Sequence, residues 1–220
     1  MSPQKSNLKF AVLATDVALF SLQEGKLKVL LIKAKSKKFL GMPTLPGGLV
    51  GPKEKIEKAA ERFIKRYTDP KGVYFEQLYT FGDPQRDPGG RVVSVAYLGL
   101  VPSAKIADIS AESSWVSARM VPSLAYDHNA IVEAALERLR GKLSYTNIIQ
   151  ALFPEEFSLT ELQEGYENIL GRKLDKRNFR KRILSLGIVK KTEKQRKGEP
   201  NRPARIFRFV DNKIKVIEVL

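Results

Sequence analysis

At 220 residues the chain has room for one large domain or two small ones, and its 43% hydrophobic content is enough for a packed core. It contains no cysteine, which excludes a disulfide framework and a Cys-based zinc site, and its one histidine, His128, argues against a His-rich metal site. No apolar run reaches the roughly 18 residues of a membrane span and the N-terminus lacks the apolar core of a secretory signal, so a soluble, cytoplasmic protein with no membrane partner is expected.

Taken in order, residues 10–20 are rich in strand formers. After a turn at 23–25, Lys26–Lys33 alternates, which predicts a hairpin. Residues 34–45 are basic and irregular and lead into Pro46-Gly47-Gly48. From Ile56 the apolar positions Ala59, Ala60, Phe63, Ile64 and Tyr67 recur at helical spacing, and Asp69-Pro70-Lys71-Gly72 is the stop signal. Strands are predicted at Tyr74–Phe81 and 91–101, separated by the loop 83–90, with a short strand around Trp115 and Val116. Asp127 is placed to cap a helix running to about Arg140, with Ile131, Ala134, Ala135 and Leu139 on one side. Gly141 closes that helix and divides the chain into domains 1–141 and 142–220.

In the second domain, 143–153 reads as a first helix. Ser158 and Glu161 form a capping box that opens a helix through Leu170, and Gly171 stops it. Asp175 caps the next helix, with Phe179, Ile183, Leu184 and Leu186 on one face and Lys176, Arg177, Arg180 and Lys181 on the other. After Gly187 come an apolar strand, a basic loop with Gly198 and Pro200, and the alternating run Ala204–Phe209. Two helices joined by a short turn, then strand, basic hairpin and strand, is the order of a winged helix-turn-helix. Residues 172–208 hold fifteen Lys and Arg against three Asp and Glu, a local net of +12 in a chain whose total is +15. Charge concentrated in this way, and interleaved with apolar stripes of period 3.6 and then 2, marks a folded nucleic-acid reader rather than a solvated tail.

Gly48, Glu54 six residues on and Arg62 eight further resemble the Nudix box, in which Gly-X5-Glu-X7-Arg-Glu follows an LPGG strand end. The acidic positions after the Arg are filled here by Phe63, Arg66 and Tyr67, and the closing Gly-apolar pair is Asp69-Pro70. A hard divalent cation needs oxygen ligands, which Phe63 does not offer and Arg66 opposes. A cation at that point pairs with ligand phosphates instead. No metal, no cofactor and no catalysis are therefore expected. Glu54, Glu57 and Glu61 make an alternative acidic stripe, but they alternate with Lys53, Lys58, Arg62 and Lys65 as on a solvated helix face laced with ion pairs.

From about residue 8 to 210 the chain resembles the Nudix-related transcriptional regulators, the NrtR family with its sugar-responsive relatives. The similar stretches are FLGMPTLPGG, EQLYTFGDPQRDPGGRVVSVAYLGL, LAYDHNAIVEAALERLRGK, FSLTELQEGYENILGRKLDKRNFRKRIL and NRPARIFRF. The resemblance implies an α+β chain: a Nudix-like α/β/α sandwich for effector sensing and dimerisation, followed by a winged helix-turn-helix. It also implies a repressor of NAD-metabolism or sugar-utilisation genes, a homodimer on near-palindromic double-stranded operator DNA, whose binding ADP-ribose or a sugar adjusts. The alternative is a Nudix diphosphohydrolase of ADP-ribose-like substrates with an accessory nucleic-acid-binding domain. Thr44 stands where the family often has an aromatic, Asn201 where the wing usually has Gly, and Lys33-Ala34-Lys35 departs from the common end of the second strand.

For DNA, the candidates are Lys176, Arg177, Asn178, Arg180 and Lys181 at the start of the recognition helix, where Arg can read guanine and Asn adenine, with Phe179 turned inward. Lys194, Arg196, Lys197 and Arg202 lie in the wing, and Arg202 is the candidate for groove insertion. For the effector, resemblance places the 83–91 loop beside the old substrate pocket, so Arg86, Asp87 and Arg91 join Arg62 and Arg66 as candidates. That loop also reads as a polar hairpin shaped by Pro and Gly. Gly47 and Gly48 permit close ligand approach or simply turn the chain, and Phe39 stacks on a base or covers the core edge. Trp115 reads as packing, and His128, just inside a helix start, as structural. The helix from Asp127, at the junction of the domains, is the natural transmitter between them.

Overall fold

The computed structural model describes residues 10–69, 72–107, 112–196 and 204–219. Strand β1 (Val12–Gln23) pairs antiparallel with β2 (Lys26–Lys33), as the alternation predicts. The short strands β3 (Pro43–Thr44) and β4 (Gly47–Leu49) pair with β2 and β1 respectively. Helix α1 (Ile56–Ile64) separates them from β5 (Tyr74–Phe81), β6 (Val92–Leu100) and β7 (Ser113–Ser117). Because β6 runs parallel to β1 and antiparallel to β5, the seven-stranded sheet is mixed.

The two-residue period of β1 builds the layers. Val17 and Leu19, with Val95 and Tyr97 of β6, share a core with Ala60, Phe63 and Ile64 of α1. Ala18 and Phe20, with Ala96 and Leu98, turn to the opposite face, where Ile131, Ala135 and Leu139 of α2 (His128–Tyr145) cover them. A one-residue slip would exchange the two cores, so the register is strongly fixed. The result is the expected α/β/α sandwich.

Two helices differ from the sequence expectation. α1 stops at Ile64 rather than Tyr67, because Arg66 and Tyr67 donate backbone bonds three residues back, to Phe63 and Ile64, and Thr68 Oγ1 takes the Ile64 carbonyl (2.9 Å). α2 continues past Gly141 to Tyr145. A mid-helix glycine costs about 1 kcal/mol, and the burial of Leu139 and Leu143 on the same face outweighs it. Residues 143–153 therefore form no separate helix. Thr146 leaves α2 to bridge to Val216, and a single 3-10 turn, Ile148–Leu152, follows.

The C-terminal part comprises β8 (Phe157–Ser158), α3 (Leu159–Leu170), α4 (Lys176–Ser185), β9 (Val189–Arg196) and β10 (Ala204–Phe209), in antiparallel order β8-β10-β9. Ser158 Oγ accepts from the Glu161 N–H (3.1 Å) and Glu161 accepts from the Ser158 N–H (2.7 Å), completing the capping box. Phe179 and Ile183 of α4 are buried, and the Phe179 ring packs at 5.3 Å on Tyr166 of α3. Leu184, expected on the same stripe, is 49% exposed, since it lies one residue around the helix from Ile183. Beyond β10 the chain returns to α2. The Ile217 and Val219 N–H groups donate to the carbonyls of Tyr145 and Ser144, and Val219 is fully buried. The core on the α2 side of the sheet continues into this module without a break. No helix among the described residues is long and apolar enough to cross a membrane.

Candidate functional site

Between the ends of β1, β2 and β4 and the start of α2 lies a cavity of about 370 Å³. Lys33, Lys35, Arg66, Arg86, Asp87, Glu112, Tyr126 and His128 contribute to its wall, with the backbone of Gly47 and Gly48. Sequence reasoning named Gly47, Gly48, Arg66, Arg86 and Asp87 among these. Phe39 reaches the wall indirectly, its ring 4.5 Å from that of Tyr126. Arg62 and Arg91 are turned away. Arg62 forms a two-pronged pair with Glu54 (2.9 and 2.8 Å), and Arg91 Nη1 closes the loop on the Gly82 carbonyl (2.7 Å).

The two glycines are explained from inside the protein. A Cβ on Gly47 would fall 2.1 Å from Asp16 Oδ1, and one on Gly48, whose φ is +150°, would fall 3.0 Å from the Phe63 ring. β4 is thus drawn tight over both side chains. Phe63, at a position the Nudix pattern gives to an acid, is buried beneath Gly48, and the guanidinium of Arg66 lies 5.4 Å from its ring centroid. That of Arg62 is closer, at 4.4 Å, where an exposed cation–π contact contributes about 0.5–1 kcal/mol. Glu54 is held by Arg62 and by the Gly51 N–H at a pKa of about 2. Glu61 pairs with Lys58 and Lys65, so Glu54 and Glu61 of the acidic stripe are both held in ion pairs. Among the described residues no three His, Cys, Asp or Glu side chains gather as a metal cluster, and Lys33 and Arg66 have no carboxylate partner.

Behind the cavity is a buried polar network that the sequence did not reveal. Arg86 donates from Nε and Nη2 to the two oxygens of Asp127 (2.9 and 2.8 Å) and from Nη2 to Asp16 Oδ2 (3.3 Å). Asp127 therefore starts α2 by position, but it spends its carboxylate on Arg86 and makes no side-chain cap. Asp16 Oδ2 also accepts from Ser94 Oγ (2.6 Å) and lies 3.5 Å from His128 Nε2. The Leu45 N–H points at His128 Nδ1 (3.0 Å), which fixes Nδ1 as acceptor and the ring proton on Nε2, facing Asp16. Thr44, at its unusual position before Leu45, puts its hydroxyl 2.8 Å from the same nitrogen. Burial alone would raise the Asp16 pKa, yet its contacts to His128, Ser94 and Arg86 prevail and hold it below the usual Asp value. Just before this network Tyr126 sits at φ +56°, a strain of about 1–2 kcal/mol for a non-glycine residue, and its ring lies between Phe39 and His128. The one available signal was Asp16 itself, the one charged residue in β1.

The second site is the surface of α4. Asp175 Oδ1 accepts from the Asn178 N–H (2.8 Å), leaving Lys176, Arg177, Asn178 and Lys181 exposed around the first turns. Arg180 is half-buried and donates to Thr160 Oγ1 (2.9 Å), tying α4 to α3. Glu167 of α3 locks the intervening turn: it accepts from Lys173 Nζ (2.6 Å), from the Leu174 N–H (3.0 Å) and from Gln163 Nε2 (3.0 Å). The Lys173 hydrogen bond, foremost among these, brings its pKa to about 2. Sequence reasoning missed this residue, since a glutamate on an amphipathic helix carries no special mark. In the wing, Lys194 pairs with Glu156 (2.8 Å) and Arg196 ends β9, whereas Lys197 and Arg202 lie outside the described residues.

Sheet, cavity and C-terminal module define a class: a Nudix-type domain joined to a DNA-binding winged helix. The NUDIX domain family matches residues 12–135, and the NrtR DNA-binding winged helix domain matches 149–209. The chain is 35% identical over 213 residues to the ADPR responsive transcriptional repressor NtrR of Acinetobacter baylyi, covering 94% of this chain and 85% of that one. The crystal structure of Shewanella oneidensis NrtR complexed with a 27mer DNA matches with a TM-score of 0.79 at 32% identity, over 90% of this chain and 93% of that one. A shorter similarity, 34% over 119 residues, relates 53% of this chain to 70% of an ADP-ribose pyrophosphatase of Methanocaldococcus jannaschii. The chain belongs to the NrtR family of Nudix-related transcriptional regulators.

Proposed function

We propose that this chain is a transcriptional repressor that binds operator DNA through α4 and the wing, and that ADP-ribose in the sheet cavity controls that binding. The observation that carries the reading is end-to-end similarity to an ADPR-responsive repressor in a chain that pairs a cation-walled cavity with an exposed basic helix. Arg66 and Lys33 are assigned to the diphosphate, Asp87 to ribose hydroxyls, and Phe39 with Tyr126 to the base. Gly47 and Gly48 shape the floor and Arg86 acts from behind the ligand, while Arg62 and Arg91, turned away from the cavity, hold Glu54 and the 83–91 loop in place. On the DNA side Lys176, Arg177, Asn178 and Lys181 meet the major groove, Arg180 steadies α4, Lys194, Arg196 and Lys197 follow the backbone, and Arg202 is assigned to groove insertion. The division of labour falls between 1–141 and 142–220.

The cavity serves binding rather than hydrolysis in this reading, because Phe63 and Arg66 occupy positions where magnesium-holding glutamates would be needed. One winged helix spans one half-site, so the operator is a near-palindrome read by a homodimer. The test is fluorescence anisotropy on the DNA upstream of the protein's own gene, at fixed salt, with and without ADP-ribose. Sequence-specific binding that ADP-ribose alters supports the reading. Brisk magnesium-dependent phosphate release from ADP-ribose, with no preference among duplexes, would favour the diphosphohydrolase instead.

A further inference from the structure

Arg86 stands between the cavity and α2. Arg86 lines the cavity, yet its side chain is only 4% exposed and two carboxylates share its fork, Asp16 on β1 and Asp127 at the start of α2. We propose that Arg86 and Asp127 form a ligand-sensitive latch: an anionic ligand in the cavity draws on the Arg86 guanidinium, weakens its hold on Asp127, and so releases the first turn of α2. This rests on the reading of the cavity as an ADP-ribose site, and it names how that site controls DNA binding.

The charge arithmetic favours exchange. One guanidinium faces two carboxylates in a buried setting where interactions are poorly screened, so a ligand phosphate adds a competing anion for the same fork. Asp127 has no other hydrogen-bonding partner for its carboxylate among the described residues, so weakening Arg86 loosens the start of α2 itself. Tyr126, strained at φ +56° next door, gives the chain there a conformation that can relax.

The far end of α2 is tied to the DNA-binding module by two routes. Arg140 Nε donates to the Ile169 carbonyl near the end of α3 (3.0 Å). The carbonyls of Ser144 and Tyr145 hold the C-terminal strap, whose Glu218 and Val219 carbonyls receive the Arg182 guanidinium of α4. A shift of α2 along or about its axis is therefore felt at the helix that presents Lys176 and Arg177. Equal ligand affinity for both arrangements would change nothing, and the latch supplies the difference.

The test compares coupling, not affinity alone. ADP-ribose affinity and DNA affinity are measured separately for the wild type and for Asp127→Asn, followed by DNA affinity at saturating ADP-ribose, with circular dichroism to check the fold. In the wild type we expect ADP-ribose to change DNA affinity at least about fivefold, the usual lower range of allosteric coupling. In Asp127→Asn that ratio falls below about twofold while ADP-ribose still binds. Should that variant fail to fold, hydrogen exchange on the wild type decides: residues 128–131 exchange faster with ADP-ribose bound. Undiminished coupling in a folded Asp127→Asn, or unchanged exchange at 128–131, overturns the latch. A wild-type protein that binds no ADP-ribose overturns instead the reading beneath it.

Discussion

In the cavity wall Arg86 is buried and shared by Asp16 and Asp127, whereas at the start of α4 Lys176, Arg177 and Lys181 stand in solvent with no carboxylate partner among the described residues. The same residue chemistry thus does two jobs, separated by burial. A buried, pre-paired guanidinium responds to a single well-placed anion and is little screened by salt. Exposed cations attract a long polyanion, and do so in proportion to the counterions they release. The molecule keeps these regimes apart, with α2 and the C-terminal strap as the connection.

Removing the buried side of this contrast has the largest expected effect. Arg86→Ala leaves Asp16 buried without its cation and should lower unfolding stability by about 3–5 kcal/mol, measured by urea denaturation. A loss under about 1 kcal/mol would mean that Arg86 is a surface charge in practice. On the exposed side, Lys176→Ala or Arg177→Ala should leave unfolding stability within about 0.5 kcal/mol but weaken DNA binding by about 1–3 kcal/mol. Where the removed cation neutralised a phosphate, the slope of binding against salt should also flatten by about one ion.

Acid sharpens the comparison further. The folded pKa of Asp16 lies below its ordinary value of 3.8, so its stabilising contribution is complete above that value and is lost as the pH falls beneath it. Melting temperature should drop below pH 4 in the wild type, and Asp16→Asn, already less stable at neutral pH, should show a shallower acid slope. A parallel slope in both would remove Asp16 from the account. The smallest effect belongs to Tyr166, which is fully buried with a hydroxyl that finds no partner among the described residues. Tyr166→Phe removes an unsatisfied polar group, so stability should be unchanged or raised by up to about 1 kcal/mol.

The secondary structure and the two-domain plan were legible because periodicity reports them directly. Alternation gave β2 its observed limits, β5 matches the strand predicted at Tyr74–Phe81, and the Ser158–Glu161 box and Gly171 bounded α3. The exposed α4 face was legible for the same reason, since a helix that buries Phe179 and Ile183 must turn Arg177 and Lys181 outward, while Lys176, on the same side as the buried pair, is exposed because it opens the helix. The cavity was only half legible. Gly47, Gly48, Arg66, Arg86 and Asp87 line it, but Lys33, Lys35, Glu112 and Tyr126 come from distant stretches that pairing of β2 with β3 and β7 brings together. Helical spacing overran the end of α1, where Thr68 takes a helix carbonyl, and Gly141 suggested a break that buried leucines override. The Asp16–Arg86–Asp127 network spans more than a hundred residues of sequence, and no local pattern announces it.

The central claim is that one small anion in the sheet cavity controls a basic helix in another domain. Anisotropy titration of labelled upstream DNA, at one stated salt concentration, with ADP-ribose absent and then saturating, tests it most directly. The expected result is sequence-specific binding whose dissociation constant moves at least about fivefold with ADP-ribose. Identical curves with and without ADP-ribose, on a duplex the protein does bind specifically, would contradict it.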